Sequence, residues 1–467
     1  MSTVGIAILA AGKGTRMKVD TPKALAPCMG RSLLDYVVDA AIEFAEKSSL
    51  KAEIGVVVGH KKELLEAWWH AHSRKELMKT AWQREQNGTA DALKACFNDL
   101  PHFWNNEYTL VACADTPLIS STEFQKLFDE FKSQPNLVGV AASFEALHPK
   151  GYGRIIRGKK GFHIVEEKDA SEDERKITEV NSGFYLLKTS HLKKVLGTIG
   201  NSNKSGEFYL TDLFQDEYEV KSLKFPSETP FLGINTLEQL SEVERILLDK
   251  KVRALMIEGV RFLSPQTVYL DHTVSIATGV TIYPGVTILG RSKLESNVVI
   301  ESGCFLKDAI IEKDAEILAN SYLEDAIVRS EATIGPMARL RPGTDIGPEA
   351  KIGNFVEVKK SKLARGAKVS HLSYIGDAEI GENSNIGCGF ITCNYDGANK
   401  HKTKIGSNTF IGSDCQVIAP IEIGNDAFVA AGSTITKNIP DGGFGIARGQ
   451  QVTKEGAAKK FIKVKKP

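Results

Sequence analysis

Apolar residues follow two different periods along the chain, and the change of period divides it. Up to about residue 235, apolar runs of strand length alternate with stretches whose apolar residues are spaced as on a helix. The runs are VGIAIL, EIGVVVG, YTLVACAD and VGVAAS, and the clearest helical stretch is SLLDYVVDAAIEFAEK. This alternation predicts an α/β fold built on a mostly parallel sheet. Ligands of such a fold bind at the carboxyl ends of its strands.

A segment of helical character separates the two patterns. It opens with a capping box formed by Thr236 and Gln239. A loose apolar stripe follows, made of Leu237, Leu240, Val243, Leu247 and Leu255. The sequence therefore predicts a first domain over 1–235, a linker helix over 236–258 and a second domain over 259–467.

The second half contains a strict six-residue repeat. Aliphatic residues fall six apart at Ile276, Ile282, Ile288, Leu294, Ile300 and Leu306, at Val328, Ile334, Leu340, Ile346, Ile352 and Val358, and at Ile405, Ile411, Val417, Ile423, Val429 and Ile435. Five-residue steps lead into Ile311, Val328 and Leu363. This is the hexapeptide signature of a left-handed parallel β-helix, in which three hexads make one triangular turn. The interruption at 392–404, TCNYDGANKHKTK, predicts a loop that leaves the coil.

Length and composition limit the number of domains, the classes of partner and the cellular compartment. At 467 residues the chain is long enough for two or more domains, and its net charge of +1 gives no general indication of a nucleic acid or membrane partner. The seven cysteines never occur as CxxC, which favours buried thiols in a reducing compartment over a disulfide or zinc framework. No apolar run reaches the length of a membrane span. We expect a cytoplasmic protein.

A glycine loop follows the first strand and carries three cations. Its core is Gly12-Lys13-Gly14-Thr15-Arg16, followed by Pro22-Lys23. It lacks the lysine of a Walker loop and the third glycine of a dinucleotide fingerprint. Glycines let backbone N–H groups approach phosphate oxygens, and fixed cations neutralise developing charge. Taken alone, the loop could equally be an ordinary turn with solvated lysines.

Other motifs support the phosphate interpretation. QREQNGTADAL offers amides and a small turn suited to the edge of a base, and VACADTPLI places Asp115 at the end of an apolar strand. A carboxylate there needs a cation, and Mg²⁺ held by one or two carboxylates plus substrate phosphates is the natural partner. The segments GYGRI, IVEEKDA, EVNSGFY and LGINT add polar residues at strand ends, as a sugar requires.

In the repeat, Arg341 and Lys359 each follow an inward aliphatic and lie three hexads apart. They should stack about 4.8 Å apart on one face, so an anion between them would relieve their repulsion. A solvated ladder with carboxylate partners such as Glu357 remains the alternative. His371 and Tyr374 follow shortly before the predicted loop. A neutral histidine can take a proton from an attacking ammonium group.

Together, LAAGKGTRM…PKAL, NGT, AD.PLI, GYGRI, IVEEKDA, VNSG and GIN resemble the sugar-nucleotide pyrophosphorylase domain. With the hexapeptide half, nearly the whole chain resembles the bacterial bifunctional N-acetylglucosamine-1-phosphate uridyltransferase / glucosamine-1-phosphate acetyltransferase family. The resemblance implies a Rossmann-like nucleotidyltransferase domain followed by a β-helix acetyltransferase domain. It also implies a cytoplasmic homotrimer that makes UDP-N-acetylglucosamine from glucosamine 1-phosphate, acetyl-CoA and UTP, without a nucleic acid or membrane partner.

For the first half, the resemblance implies catalytic cations at Arg16 and Lys23 and Mg²⁺ bound by Asp115 and Asn235. The implied nucleotide and UDP-sugar contacts are Leu9, Ala10, Ala11, Gly12, Lys23, Gln83, Gly88, Thr89, Cys113, Ala114, Asp115, Gly153, Glu166, Asn181 and Asn235. The family usually has Tyr-Gly-Asp where this chain has Cys113-Ala114-Asp115.

For the second half, the resemblance makes His371 the catalytic base of acetyl transfer. The implied amino-sugar phosphate contacts are Arg341, Lys359, Tyr374 and Asn385. The implied acetyl-CoA contacts are Cys388 (through its backbone), Asn394, Tyr395, Ser413, Ala431 and Arg448. Cys388 and Phe390 replace the small residues usual in the family. The basic tail AAKKFIKVKKP either lies near the anionic coenzyme or is disordered.

Two other functions are compatible with parts of the sequence. One is a sugar-1-phosphate nucleotidyltransferase of other specificity whose β-helix only trimerises. The other is a binding or scaffold protein in which the repeat is a stalk. His371, the predicted loop and the Arg341/Lys359 pair argue against both, since neither a stalk nor an inactive coil needs them.

Overall fold

The computed structural model describes residues 3–48, 50–159 and 161–462. It divides into two compact units, and the division falls between Leu247 and Leu248. Residues 463–467, the end of the predicted basic tail, lie outside the described residues. We call the two parts the first and second units.

The first unit is built on one mixed sheet of nine strands. Across its main path the strands run in the order Val220–Phe225, Gly139–Glu145, Glu179–Lys188, Tyr108–Cys113, Thr3–Leu9, Lys51–Val58 and Met78–Trp82. The strand Glu179–Lys188 is antiparallel to both neighbours, and the other neighbouring pairs are parallel. The hairpin of Arg154–Arg157 and Phe162–Val165 joins the sheet through a pair between Arg154 and Val180 of the strand Glu179–Lys188. A second, small sheet pairs Pro27–Cys28 with Arg31–Ser32.

Helices of the first unit connect the parallel strands. The α-helices are Leu33–Ser48, Lys62–Ala71, Thr89–Asp99, Ser121–Lys132 and Thr189–Val195. The 3-10 helices are Thr15–Met17, Lys23–Leu25, Lys75–Leu77, Pro101–Asn105, Glu174–Lys176, Leu210–Leu213 and Thr229–Phe231. The four predicted strand runs and the predicted helical stretch are all observed, so the α/β class is confirmed.

The long helix Leu237–Ile257 begins at the predicted capping box. The Gln239 side chain accepts from the backbone N–H of Thr236 at 3.2 Å, and the Thr236 hydroxyl accepts from the Gln239 N–H at 3.2 Å. Leu240 and Val243 are buried, but Leu237 is 54% exposed. Leu237 is therefore the exposed end of the predicted apolar stripe. It lies in the first helical turn, one turn before the packed residues begin.

The second unit is a coil of short parallel strands arranged in three sheets of 11, 10 and 9 strands. The first face holds Arg261–Phe262, Thr281–Ile282, Val299–Ile300, Glu316–Ile317, Thr333–Ile334, Lys351–Asn354, Lys368–His371, Asn385–Ile386, Phe410–Ile411, Phe428–Val429 and Phe444–Gly445. The second holds Tyr269–Leu270, Thr287–Leu289, Phe305–Lys307, Tyr322–Glu324, Arg339–Leu340, Glu357–Lys359, Tyr374–Gly376, Ile391–Cys393, Gln416–Ile418 and Thr434–Ile435. The third holds Ser275–Ile276, Lys293–Leu294, Ile310–Ile311, Ala326–Val328, Thr344–Ile346, Lys362–Leu363, Ala378–Ile380, Thr403–Ile405 and Ile421–Ile423. Two further 3-10 helices are Pro265–Thr267 and Ala457–Lys460.

The repeat aliphatics fill the interior of the coil, as predicted. Each of the 18 positions singled out in the six-residue runs is buried and belongs to one continuous core. Strands from successive turns of the coil pair side by side on each face, so that Leu340 pairs with Val358 and Ile352 with Val369. The six-residue period therefore places one aliphatic per face per turn in the interior.

The predicted loop is also observed. The chain leaves the coil after Ile391–Cys393 and re-enters it at Thr403–Ile405, with a bridge between Tyr395 and Lys400 inside the excursion. We call residues 394–402 the excluded loop. Among the helices of the described residues, none is long and apolar enough to cross a bilayer.

Candidate active sites

The glycine loop starts where the first strand ends at Leu9. Its position is fixed by backbone bonds, since Ala10 N donates to Val57 O at 2.9 Å and Ala114 N to Leu9 O at 3.0 Å. Gly14 has φ of 61°, and a Cβ there would lie 2.6 Å from Cβ of Lys23. A side chain at position 14 would therefore displace Lys23, so glycine holds the loop against this cation.

Four side chains converge beside this loop, and we call them the polar cluster: Arg16, Lys23, Asp115 and Asn235. The Lys23 ammonium contacts the Asp115 carboxylate and donates to Asn235 Oδ1 at 2.8 Å. The Arg16 guanidinium donates to the same oxygen at 2.7 Å. Asn235 is held beside Asp115 by the backbone, because its neighbour Ile234 donates from its N–H to the backbone oxygen of Asp115 at 3.0 Å. The predicted catalytic cations and metal ligands of the first half thus meet at one point.

The polar cluster forms one wall of a cavity of about 570 Å³. The cavity is lined by predicted contacts Leu9, Ala10, Ala11, Gly12, Arg16, Lys23, Gln83, Gly88, Thr89, Cys113, Ala114, Asp115 and Asn235. It is also lined by residues that the sequence did not single out as contacts, namely Lys13, Gly14, Thr15, Ala24, Gln86, Ala92 and Glu207. Lys13 and Thr15 could have been chosen from the loop motif, whereas no motif marks Glu207.

Gln83 and Gly88 shape the opposite wall. The buried Gln83 amide donates to the Gly88 carbonyl at 3.0 Å and to Asp91 Oδ2 at 2.8 Å. Both amide hydrogens are thereby used, so the side-chain oxygen is the group left to accept from a ligand. Gly88 has φ of 123°, and a Cβ there would lie 2.4 Å from the Phe208 carbonyl oxygen. The close backbone approach requires glycine at this position.

Three predicted sugar contacts, Gly153, Glu166 and Asn181, are not among the residues that line this cavity. Gly153 and Asn181 are paired through the backbone, Asn181 N to Gly153 O at 2.9 Å. Glu166 accepts from the Thr211 hydroxyl at 3.1 Å, and burial raises the pKa of its carboxyl group. Gly153 precedes the strand Arg154–Arg157, Glu166 follows the strand Phe162–Val165, and Asn181 is the third residue of the strand Glu179–Lys188, so all three lie in or next to the same sheet.

Cys113 lies between these two groups of residues. Its thiol is 3.8 Å from the Gly183 carbonyl oxygen and lines the cavity. Burial raises the pKa of this thiol to about 12. At position 113, where the resembled family usually has tyrosine, this chain therefore presents a small neutral group to the cavity.

In the second unit, His371 and three predicted acetyl-CoA contacts form a single column. Val369 pairs with Ile386, Ile386 with Ile411, and Ile411 with Val429. Two positions beyond each of these residues stand His371, Cys388, Ser413 and Ala431. Successive turns of the column are about one strand spacing, 4.8 Å, apart. The Arg448 guanidinium donates to the Ala431 carbonyl at 2.9 Å and so lies at the end of the column.

The predicted sugar-phosphate cations occur with carboxylate partners. Arg341 lies 2.9 Å from Glu357 Oε1, and Lys359 lies 3.6 Å from Asp377 Oδ2. Each cation therefore has a carboxylate partner, and Glu357 is the partner that the sequence named. In the register of these strands Glu357 is opposite Arg339, and its carboxylate lies 3.9 Å from the Arg339 guanidinium and 2.9 Å from that of Arg341.

Tyr374 and Asn385 lie on the strands that follow His371. The Tyr374 ring covers Gly376, where a Cβ would lie 2.5 Å from the phenol oxygen. Asn385 pairs in register with Lys368, on the His371 strand. Both predicted contacts are therefore on turns adjoining the histidine.

The excluded loop is bonded to the part of the coil that carries Lys359 and Asp377. The Asn394 amide donates to Asp377, the carboxylate that also faces Lys359. Tyr395 is 55% exposed, with the Lys400 ammonium 4.2 Å from the centre of its ring. Asp377 therefore links a predicted sugar-phosphate contact to a predicted acetyl-CoA contact.

A metal ion at the polar cluster would depend on substrate oxygens. Within the described ranges, no three His, Cys, Asp or Glu side chains are grouped so as to hold a metal ion. The cluster offers one carboxylate and one amide oxygen, from Asp115 and Asn235. Such a donor set suits a hard cation that takes its remaining ligands from water and phosphate.

Comparison with known proteins agrees with both halves. Residues 6–180 match the MobA-like NTP transferase domain family, and residues 402–437 match the bacterial transferase hexapeptide (six repeats) family. A solved structure of apo UDP-glucose pyrophosphorylase covers 54% of this chain and 100% of its own, with 17% identity and a TM-score of 0.41. The two family matches define a nucleotidyltransferase joined to a hexapeptide-repeat transferase.

Relatives of full length identify the family. The bifunctional protein GlmU of Geotalea uraniireducens is 40% identical over 462 residues, which cover 98% of this chain and 99% of the relative. The bifunctional protein GlmU of Pelobacter propionicus is 40% identical over 462 residues, covering 98% of each chain. The chain belongs to the GlmU family of bifunctional enzymes, and the family resemblance predicted from the sequence motifs is confirmed.

Proposed function

We propose that the first unit transfers UMP from UTP to N-acetylglucosamine 1-phosphate, and that the second unit makes this acceptor by acetylating glucosamine 1-phosphate. The observation that carries the first assignment is the polar cluster beside the glycine loop, which forms one wall of a cavity of about 570 Å³. The observation that carries the second is the column that joins His371 to Cys388, Ser413 and Ala431.

In the first reaction, a phosphate oxygen of N-acetylglucosamine 1-phosphate attacks the α-phosphorus of UTP and pyrophosphate leaves. The nucleophile is already an anion, so no base is required and positioning with charge stabilisation carries the step. Arg16 and Lys23 bind the triphosphate and neutralise the charge that moves onto pyrophosphate. The Gln83 oxygen and the backbone near Gly88 meet the edge of the base.

Mg²⁺ is the metal that we assign to Asp115 and Asn235. When bound there, it neutralises phosphate oxygens during the transfer. Lys23 contacts both assigned ligand residues, at the Asp115 carboxylate and at Asn235 Oδ1, so the two side chains are held next to each other. Gly153, Glu166 and Asn181 are assigned to the sugar, and Thr211 orients the Glu166 carboxyl group.

In the second reaction, the amine of glucosamine 1-phosphate attacks the thioester carbon of acetyl-CoA. A C–N bond forms, the C–S bond breaks, and His371 takes the proton that the amine loses. Arg341, Lys359, Tyr374 and Asn385 bind the sugar phosphate. The backbone of Cys388, the excluded-loop residues Asn394 and Tyr395, and Ser413, Ala431 and Arg448 bind the coenzyme.

We assign the working form to a homotrimer in the cytoplasm. All seven cysteines are free thiols, as a reducing compartment favours. An exposed apolar column supports the oligomer: Phe410, Phe428 and Phe444 stack along the first face of the coil with ring centres 5.0 and 5.7 Å apart. These rings are 41%, 45% and 65% exposed, and a second copy of the chain packed on this face would bury them.

Phe428→Asp should dissociate the trimer, because it places a charge in the middle of the apolar column. Light scattering after size exclusion should give a lower mass at the same protein concentration, while Phe428→Leu keeps the wild-type mass. A trimer of unchanged stability in the Asp variant would place the subunit contact on another face.

The two activities are tested together by mass spectrometry of the products. Purified protein is mixed with glucosamine 1-phosphate, acetyl-CoA, UTP and Mg²⁺, and each component is omitted in turn. UDP-N-acetylglucosamine is expected only in the full mixture, and N-acetylglucosamine 1-phosphate should accumulate without UTP. If a supplied sugar 1-phosphate gives a nucleotide sugar but no acetylated sugar ever forms, the acetyltransferase assignment is wrong.

A further inference from the structure

Asn354 is the side chain that holds the ring of His371. The strands Lys351–Asn354 and Lys368–His371 are parallel neighbours, and Asn354 pairs in register with His371. Asn354 Oδ1 lies 3.0 Å from His371 Nδ1. The Asn354 backbone carbonyl also accepts from Leu372 N at 3.0 Å, so the backbone next to the ring is fixed as well.

The close approach of the two strands depends on the residue before Asn354. A Cβ at Gly353 would lie 1.8 Å from the Ser370 carbonyl oxygen. Only glycine leaves the backbones near enough for Asn354 and His371 to meet across one turn. The amide and the imidazole are therefore brought together by the coil itself.

We propose that Asn354 is a positioning residue for acetyl transfer, because its amide oxygen sets the tautomer of His371. An amide oxygen can only accept a hydrogen bond, so the proton of the neutral imidazole stays on Nδ1. Nε2 is then left without a proton and can take one from the attacking amine. This inference rests on the proposed role of His371 as the base. It adds that the base works only in the tautomer that Asn354 selects.

The amide could instead be turned so that its NH₂ group faces Nδ1. The imidazole proton would then lie on Nε2, and the ring could not act as a base at that atom. Aspartate distinguishes the two arrangements, because it accepts hydrogen bonds but donates none when ionised. Leucine has nearly the same shape as asparagine and can do neither.

The experiment compares Asn354→Leu with Asn354→Asp in the full-length protein. Asn354→Leu should lower kcat of acetyl transfer by roughly 10- to 100-fold with KM for glucosamine 1-phosphate nearly unchanged. Asn354→Asp should stay within a few-fold of the wild type. The acid limb of its pH profile should move to higher pH, because a carboxylate favours the protonated ring. Two titratable residues near His371, Tyr374 three positions later in the chain and Cys388 on the next turn of the coil, are retained in every variant.

Controls separate this proposal from a folding defect and from the proposed function. Asn425→Leu removes another asparagine bond between turns, 2.8 Å from Ser407 N to Asn425 Oδ1, and should leave acetyl transfer unchanged. Uridylyl transfer and the melting temperature should be unaltered in all variants. Normal kcat in Asn354→Leu, or equal loss in the Leu and Asp variants, overturns the role of Asn354. If His371→Ala is also fully active, the assignment of the base itself fails.

Discussion

His371→Ala should abolish acetyl transfer and leave uridylyl transfer intact. General-base catalysis contributes roughly 100- to 10,000-fold, and we expect a loss of that size in kcat for release of CoA. The side chain lies on the outside of the coil and its ring bonds to Asn354, so its removal takes away no core packing. Pyrophosphate release, which belongs to the first unit, should stay within experimental error of the wild type.

The defect of His371→Ala should shrink as the pH rises. The amine of the substrate is a cation at low pH and loses its own proton at high pH, so a base on the protein matters less there. His272→Ala, an exposed histidine of the same unit, is the matched control and should behave as wild type. Acetyl transfer that persists at pH 7 in His371→Ala would mean that another residue is the base.

Asp115→Asn should abolish uridylyl transfer and spare acetyl transfer. The substitution keeps the shape of the side chain but removes the charge that faces Lys23 and the assigned Mg²⁺. Losing the carboxylate weakens binding of the metal, which stabilises the phosphate charge in the transition state by several kcal/mol. The value of kcat/KM should therefore fall by at least about 100-fold. Pyrophosphate release at varied Mg²⁺ should also show a higher requirement for the metal.

A carboxylate elsewhere in the first unit provides the control for Asp115→Asn. Asp129 accepts a hydrogen bond from Gln125 at 2.7 Å on the surface of the helix Ser121–Lys132. Asp129→Asn should change neither activity. Near-normal uridylyl transfer in Asp115→Asn, together with normal folding, would remove Asp115 from the metal site.

The fold was open to prediction because both of its periods are local. The six-residue repeat predicts which aliphatic residues lie in the interior of the coil. All the aliphatics named from the repeat are indeed buried in its core. The capping box of Thr236 and Gln239 was equally local. The apolar stripe predicts the helix but not the burial of each member, so the exposure of Leu237 is known only from the structure.

The candidate sites were only partly open to prediction. Residues within a motif, such as Gly12 and Lys23, could be chosen from chemistry and resemblance. Glu207 could not, because it lines the cavity of the first unit from a segment without a motif. Asn354 could not either, since it lies 17 positions before His371 and only the register of the coil brings the two side chains together.

The sequence by itself determined the two architectures, the family and the residue types needed for two reactions. These properties depend on periodicity and on short motifs, which involve residues close together in the sequence. The tertiary structure decided which distant groups meet: Asn235 with Lys23 and Asp115, Glu357 with Arg341, and Asn354 with His371. The physical reason is that these contacts depend on strand register and loop closure, which are set by packing across the whole unit rather than by neighbouring residues.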